Sequence, residues 1–394
     1  MTFDRRRPVA IVGGGFSGTM VAAQLARKGV ESVLVDGSGR LGRGVAYSTT
    51  EPAHVLNACA ESMSAWADDP DHFANWFETE GGEASAFAER RLFGRYLDAS
   101  LAEAVATGRV ALPAQEAVAA LPDGDGWIVR LETSETIHAS ALVLANGNQP
   151  PDPLPFARSP RFIGNPWGSE ARDAIADAAA GGADVLIIGT GLTMIDTVLS
   201  LDSAGHRGRI TALSRRGLVP HAHADHTPAA VDLDELPSGR AGTLLRWLRK
   251  RSAEVGWRAA VDSLRPHSHA LWQALPLDEQ RRFMRHARPW WDVRRHRIAP
   301  EVAQRIHDLV ASGQLEIVAG RLMAVAETDD GLDVRIARRG GGREMRVDVA
   351  YAFNSTGPLH AMARTRDPTL RQMLDDGLAR PDALGIGMET NERA

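Results

Sequence analysis

The sequence predicts an α/β chain of two Rossmann-like dinucleotide-binding domains, each carrying a β-meander, with a helical insertion in the second. Three observations carry this expectation. A glycine-rich turn joins an apolar strand to a helix near the start, a second such turn begins 176 residues later (13 to 189), and strand-like runs ending in a glycine follow each turn. With 394 residues the chain can supply two to three domains of ~150 residues, each with its own core.

Pro8 to Val12 is a short β-branched run that breaks into Gly13-Gly14-Gly15-Phe16-Ser17-Gly18, and a helical segment follows from Thr19 to Lys28. A second apolar strand, Ser32 to Val35, ends in Asp36, so the GxGxxG turn and an acidic residue about twenty positions on lie in one βαβ unit. Gly13 permits the tight turn, Gly15 lets backbone amides approach a pyrophosphate, and Gly18 lets helix pack on strand. Asp36 can accept hydrogen bonds from a ribose. Strand patterns at Val110 to Leu121, Trp127 to Glu132 and Ile137 to Ala145 read as a meander ending in Asn146-Gly147. The proline-rich stretch Pro150 to Pro155 then makes a stiff connector.

The plan repeats with a strand at Asp184 to Ile188, the turn Gly189-Thr190-Gly191-Leu192-Thr193-Met194 and a helix to about Leu201. A strand at Ile210 to Leu213 leads into Ser214-Arg215-Arg216, and runs at 315–328, 332–338 and 345–353 form a second meander ending in Thr356-Gly357. The helical insertion spans about 239–312, with Leu244, Leu245, Trp247 and Leu248 at helical spacing. The expected division is 1–164 with 351–394 for the first domain and 165–350 for the second.

Two copies imply two dinucleotides. The ribose-facing position carries Asp36 in the first copy but Arg215 and Arg216 in the second, where arginine suits a 2′-phosphate that a carboxylate would repel. FAD in the first site and NADPH in the second is the economical assignment. The single cysteine, Cys59, excludes an internal dithiol and leaves any redox work to a bound cofactor.

These residues and further motifs carry a resemblance. The added motifs are Gly42-Arg43-Gly44-Val45-Ala46-Tyr47-Ser48, His54-Val55-Leu56-Asn57, Asp68 to Phe73, Arg288-Pro289-Trp290-Trp291-Asp292 and Asn354 to Pro358. The chain resembles a bacterial FAD/NAD(P)-binding oxidoreductase family within the two-dinucleotide-binding-domain flavoproteins, similar to flavin-dependent N-hydroxylating monooxygenases. The resemblance implies that Arg43, Asn57 and Ser64 lie near the flavin and the Val118 backbone near adenine, with Asn57 as the side chain put forward for a catalytic role. It implies hydride transfer from NADPH to FAD and electron transfer to oxygen or another acceptor. A reductase without oxygenation and a non-catalytic dinucleotide-binding module are the alternatives. Resembling flavoproteins continue past a strand such as Asp382 to Met388, so the chain is expected to be C-terminally shortened, with weakened FAD retention.

Other features have plainer readings. His221, His223, Asp225 and His226 cluster like metal ligands but follow Gly217 and Pro220 in a loop, so no metal is assigned. Asp68, Asp69 and Asp71 could suggest a cation site, yet Asp71 before an apolar helical stretch reads as an N-cap. Arginines and tryptophans from Arg246 to Arg297 invite a nucleic-acid reading, but the net charge of -5 and the chain-wide use of arginine, with only Lys28 and Lys250 as lysines, argue for a cap or pocket instead. Arg5, Arg6 and Arg7 imitate an export signal, which the following glycines interrupt. No apolar run reaches the ~18 to 20 residues of a membrane span. The expectation is a cytoplasmic enzyme with a small-molecule substrate, no nucleic acid or membrane partner, and an oligomeric state left open.

Overall fold

The structure, a computed structural model, describes residues 7–155, 158–341, 344–359 and 361–391. Arg5 and Arg6 of the signal-like segment lie outside them. The chain divides into two compact units, 1–152 with 358–394 and 153–357.

The first unit opens with β1 (Val9–Val12), α1 (Phe16–Arg27) and β2 (Ser32–Val35), followed by α2 (Gly44–Tyr47), α3 (His72–Thr79) and α4 (Arg90–Ala106). Then come β3 (Val110–Ala111), β4 (Ala117–Asp123), β5 (Gly126–Leu131), β6 (Thr136–Ala139) and β7 (Ala141–Leu144). A parallel sheet has the order β3-β2-β1-β7, and β4-β5-β6 form a separate antiparallel sheet. Successive side chains on a strand face opposite ways, and that period sorts the core. Ile11 and Leu34 join the helices in one apolar cluster, whereas Ala10, Val12 and Val35 join the meander residues Ala120 and Val129 in another. Both faces of the parallel sheet are thereby covered, which is why β1 and β2 are apolar almost throughout.

The second unit contains β8 (Phe162–Ile163), α5 (Ser169–Gly181), β9 (Val185–Ile188), α6 (Leu192–Ser203) and β10 (Ile210–Ser214). The insertion follows as α7 (Ala241–Val255), α8 (Trp257–Ser263), α9 (Ser268–Gln273), α10 (Leu277–Arg282), a π-helical turn Phe283–Ala287, α11 (Arg288–Arg295) and α12 (Pro300–Ala311). Strands β11 (Leu315–Glu327), β12 (Leu332–Arg338), β13 (Met345–Val349) and β14 (Tyr351–Asn354) complete the unit. One sheet of order β13-β12-β11-β10-β9-β14-β8 results. Its long strand β11 starts parallel to β10 and from Gly320 onward pairs antiparallel with β12, with an irregularity at Leu322/Ala324, so this meander extends the main sheet. The last helix of the chain, α13 (Pro368–Asp375), belongs to the first unit and packs on β4. Asp367 caps it by accepting from the Leu370 amide at 2.9 Å.

Several sequence expectations need correction. The run Val110 to Leu121 splits, because Pro113 cannot donate in a ladder, and only Val110–Ala111 joins the parallel sheet. The runs Ile137 to Ala145 and 345–353 likewise split, each giving one meander strand and one parallel strand. Tyr351–Asn354 pairs with Val185–Ile188, so 351–357 falls in the second unit rather than the first, and the chain passes between units near 152 and 357. Asp382 to Met388 is not a strand. The Asp382 carboxylate accepts from the Leu384 and Ile386 amides, Gly385 adopts φ +72°, and only a Pro381–Met388 bridge remains. Asp71 occupies the N-cap position of α3, yet its helical φ,ψ of -92°, -2° aims the side chain away and no cap bond forms.

Candidate functional site: two dinucleotide cradles

In the first unit, β1 ends at Val12 and the chain turns at Gly13, whose φ is +105°. A Cβ at Gly13 would overlap the carbonyl oxygen of Ala145, and one at Gly18 would overlap the carbonyl oxygen of Gly13. Both positions therefore require glycine, as their spacing predicts. Gly15 is the N-cap of α1 with no side-chain cap, and the first turn has no acidic residue. The amides at the start of a helix lack intrahelical partners. Phe16 and Ser17 are exposed there, so the helix start presents a ready site for a pyrophosphate.

Asp36 stands just beyond β2, and its carboxylate accepts from the Gly14 amide at 2.7 Å and the Ser38 amide at 2.7 Å. It locks the turn while keeping lone pairs for a ribose. At the end of β7, the Asn146 amide nitrogen donates to Asp367 at 2.7 Å. The Asn146 Oδ1 is buried without a hydrogen-bond partner, an acceptor that a ligand hydroxyl would satisfy. Gly147 follows with φ +67°. Val118 sits at a register shift between Ala117 and Ala119, so it stands outside the paired positions of the β4–β5 ladder and its backbone can serve an adenine. These residues fit an FAD.

The residues placed near flavin by resemblance are dispersed in role. Arg43 precedes α2 and is held by Asp98, with its Nε donating at 2.8 Å, and the ion pair raises the guanidinium pKa further. Sequence reasoning missed Asp98, which nothing in the pattern of α4 distinguishes from an ordinary surface acid. The neighbouring glycines position this segment on the turn: the Gly42 amide donates to the Gly14 carbonyl at 2.8 Å, and Gly44 faces Gly15. Ser64 donates to the Asp69 carbonyl at 2.5 Å and accepts from the Trp66 amide at 3.1 Å, so its hydroxyl ties a loop. Asn57 is exposed, between Leu56 and the segment carrying Cys59.

The second unit repeats the first cradle. Gly189 has φ +118°, and a Cβ there would overlap the Ser355 carbonyl oxygen, as Gly13 would overlap that of Ala145. The Gly189 amide donates to Leu213 at 2.8 Å, matching Gly13 to Val35 at 2.9 Å. Gly191 caps α6 without a side-chain bond, and nothing lies within 4 Å of its Cβ position. Leu192 and Thr193 thus open a helix with free space before it. Met194 replaces the third glycine and is fully buried. Thr190, unflagged by sequence, donates to Ser214 at 2.8 Å and pins the turn to the end of β10. Thr356, after Asn354, donates its hydroxyl to the Asn354 side chain at 2.7 Å, and Gly357 has φ +94°.

Ser214 holds the register of Asp36, so the carboxylate expected to be replaced by arginine is replaced by a hydroxyl, and Arg215 and Arg216 follow directly after it. Neither forms an ion pair among the described residues, whereas Arg297, Arg305 and Arg338 do. The loop beyond them runs into the insertion: the His221 ring packs against Trp257, tilted by 49° with ring centres 5.0 Å apart, and His226 pairs with Asp262 at 3.0 Å. Among the described residues no three His, Cys, Asp or Glu side chains are arranged to hold a metal. Burial holds the His221 pKa below its ordinary value, helped by Arg294, Arg258 and Arg297. Among the described residues no helix is long and apolar enough to cross a membrane.

Residues 10–149 match the family model for FAD-NAD(P)-binding domains. No curated protein sequence matches the chain. Among solved structures it is similar to the FAD-bound cadaverine monooxygenase DfoA from Erwinia amylovora (TM-score 0.66, 12% identity, covering 98% of this chain and 83% of that one). It is also similar to the ornithine N-hydroxylase KtzI from Kutzneria sp. 744 (0.63, 16%, 96% and 86%). The bacillithiol disulfide reductase Bdr from Staphylococcus aureus shares the fold as well (0.56, 14%, 98% and 85%). At these identities the likeness is one of fold. The family model thus covers the first cradle, the second unit repeats that cradle, and the chain as a whole shares the fold of these solved structures.

Proposed function

We propose that the chain is an FAD-dependent NADPH oxidoreductase whose first unit holds FAD and whose second unit holds NADPH. The observation that carries this reading is that the second cradle has Ser214 where the first has Asp36, with Arg215 and Arg216 directly after it. A carboxylate selects an unmodified ribose, whereas two guanidinium groups without carboxylate partners suit a 2′-phosphate. When bound, the coenzyme supplies a hydride and the flavin passes the electrons on. The chain's own part would be to fix both groups: helix-start amides at Phe16 and Ser17, and at Leu192 and Thr193, would hold the two pyrophosphates, while Asp36 and Asn146 would orient the ribityl and ribose side of the first.

The finer reading is a monooxygenase acting on a small amine. The similar structures include hydroxylases of ornithine and cadaverine and also a disulfide reductase. The chain's one cysteine, Cys59, gives it no dithiol to relay electrons, which favours oxygen as acceptor. The test is anaerobic reduction with NADPH, then air in the presence of ornithine, lysine or cadaverine, with products read by mass. An amine heavier by one oxygen supports the monooxygenase. Hydrogen peroxide alone supports the reductase, and absence of flavin reduction leaves a dinucleotide-binding module.

A further inference from the structure

The helical insertion of the second unit encloses a cavity of about 790 Å³, within the size range of small-molecule sites. Its wall is apolar and aromatic, with Leu248, Trp257, Trp272 and Trp290 drawn from four different helices. Trp290 and Trp291 belong to a motif that the dinucleotide cradles leave unused. Trp290 remains 44% exposed, a large apolar surface left open on the cavity rim. The helix between Leu277 and Arg295 widens into a π-helical turn at Phe283–Ala287, a distortion frequent at functional sites, and Phe283, His286 and Ala287 all line the cavity.

The charge lining this cavity has one sign. Arg249 and Arg294 contribute it, and no carboxylate lines the cavity. Some other arginines of the insertion are paired, among them Arg251 with Glu254, Arg288 with Asp292 and Arg297 with Asp262. Arg249 and Arg294 form no ion pair among the described residues, and Arg294 spends one donor on the Trp290 carbonyl at 3.0 Å. Leaving two guanidinium groups beside an apolar void suits a ligand that brings its own anion.

We propose that this cavity binds an amphiphilic organic anion, an apolar acyl or aryl body ending in one carboxylate, with Arg249 and Arg294 receiving the carboxylate and the tryptophan wall receiving the body. The site lies wholly within the insertion and does not depend on the flavin reaction. The test titrates the full chain with dodecanoate, 2-naphthoate and dodecan-1-ol, the acids and alcohol kept below aggregation, using tryptophan fluorescence and calorimetry. Saturable one-site binding of at least one acid, at least tenfold tighter than the alcohol, is expected; which acid wins distinguishes an acyl from an aryl body. The double variant R249Q/R294Q should weaken acid binding about ten- to a hundredfold and leave the alcohol unchanged. Leu248→Trp should weaken both by filling the void. The arginine arm stands alone if that variant fails to fold, because glutamine at two surface-facing positions removes no core. Absence of saturation, equal affinity for acid and alcohol, or an unchanged R249Q/R294Q would overturn the proposal. Concentration-dependent dimerisation that Trp290→Asp abolishes and dodecanoate leaves untouched would assign the face to a second copy and overturn it too.

Discussion

Gly189 lies so close to Ser355 that a methyl group on its Cα would occupy the Ser355 carbonyl oxygen, and its φ of +118° is one that side chains rarely adopt. Gly13 stands in the same relation to Ala145. Strain and overlap together make Gly189→Ala cost about 3 kcal/mol or more. The expected outcome is lost NADPH binding with flavin content retained, and Gly13→Ala should do the reverse. Flavin absorbance per protein and coenzyme titration of the two variants check this.

Asp36 acts through geometry as well as charge. Asp36→Ala removes an ionised acceptor from the Gly14 amide and from the ribose, a loss of about 1.5 to 3 kcal/mol. FAD affinity should fall about ten- to a hundredfold, while Asp36→Asn, which keeps one acceptor, should fall less. Equilibrium titration of flavin-free protein with FAD decides it.

Arg297 is 3% exposed and grips Asp262 through two parallel bonds of 3.0 and 2.7 Å. Removing one partner leaves the other buried and uncompensated, so Asp262→Ala should destabilise the second unit by about 3 kcal/mol. Arg297→Lys should recover only part, because an ammonium cannot reproduce the fork. Denaturant titrations of the three proteins measure both effects.

His221 carries a pH dependence of definite sign. Burial first, then Arg294, Arg258 and Arg297, depress its pKa below the ordinary 6.5, so the unfolded chain binds the proton more readily than the folded one. The stability from this group is complete above about 6.5 and declines as pH falls toward the depressed folded value. His221→Phe, which keeps an aromatic ring against Trp257, should flatten that decline. Melting temperatures at pH 7.5 and pH 5.5 compare the two proteins.

The cradles were legible because each glycine does something only glycine can do: Gly13, Gly18 and Gly189 leave no room for a Cβ, and such positions mark themselves by spacing. Arg215 and Arg216 were legible because they stand at the end of the equivalent strand, one and two residues past Ser214, which holds the register of Asp36. Strand ends were harder to see. Val110 and Ala117 share one apolar pattern but join different sheets, since local alternation carries no information about the partner strand. Asp382 to Met388 misled in the same way, its apolar alternation serving a turn held by the Asp382 carboxylate. Asp98 left no sequence signal, and the cavity left only the arginines and tryptophans from Arg246 to Arg297 that suggested a cap or pocket. A helical apolar stripe such as Leu244, Leu245 and Leu248 looks the same whether it fills a core or lines a void.

The most direct measurement is anaerobic mixing of the FAD-loaded chain with NADPH or NADH, following flavin absorbance, for the native chain and for R215A/R216A. The account predicts that NADPH bleaches the native flavin at a far lower concentration than NADH does. It also predicts that the double variant loses this preference by about ten- to a hundredfold with flavin content unchanged. A flavin that NADPH leaves oxidised, or a preference that survives the loss of both arginines, would contradict it.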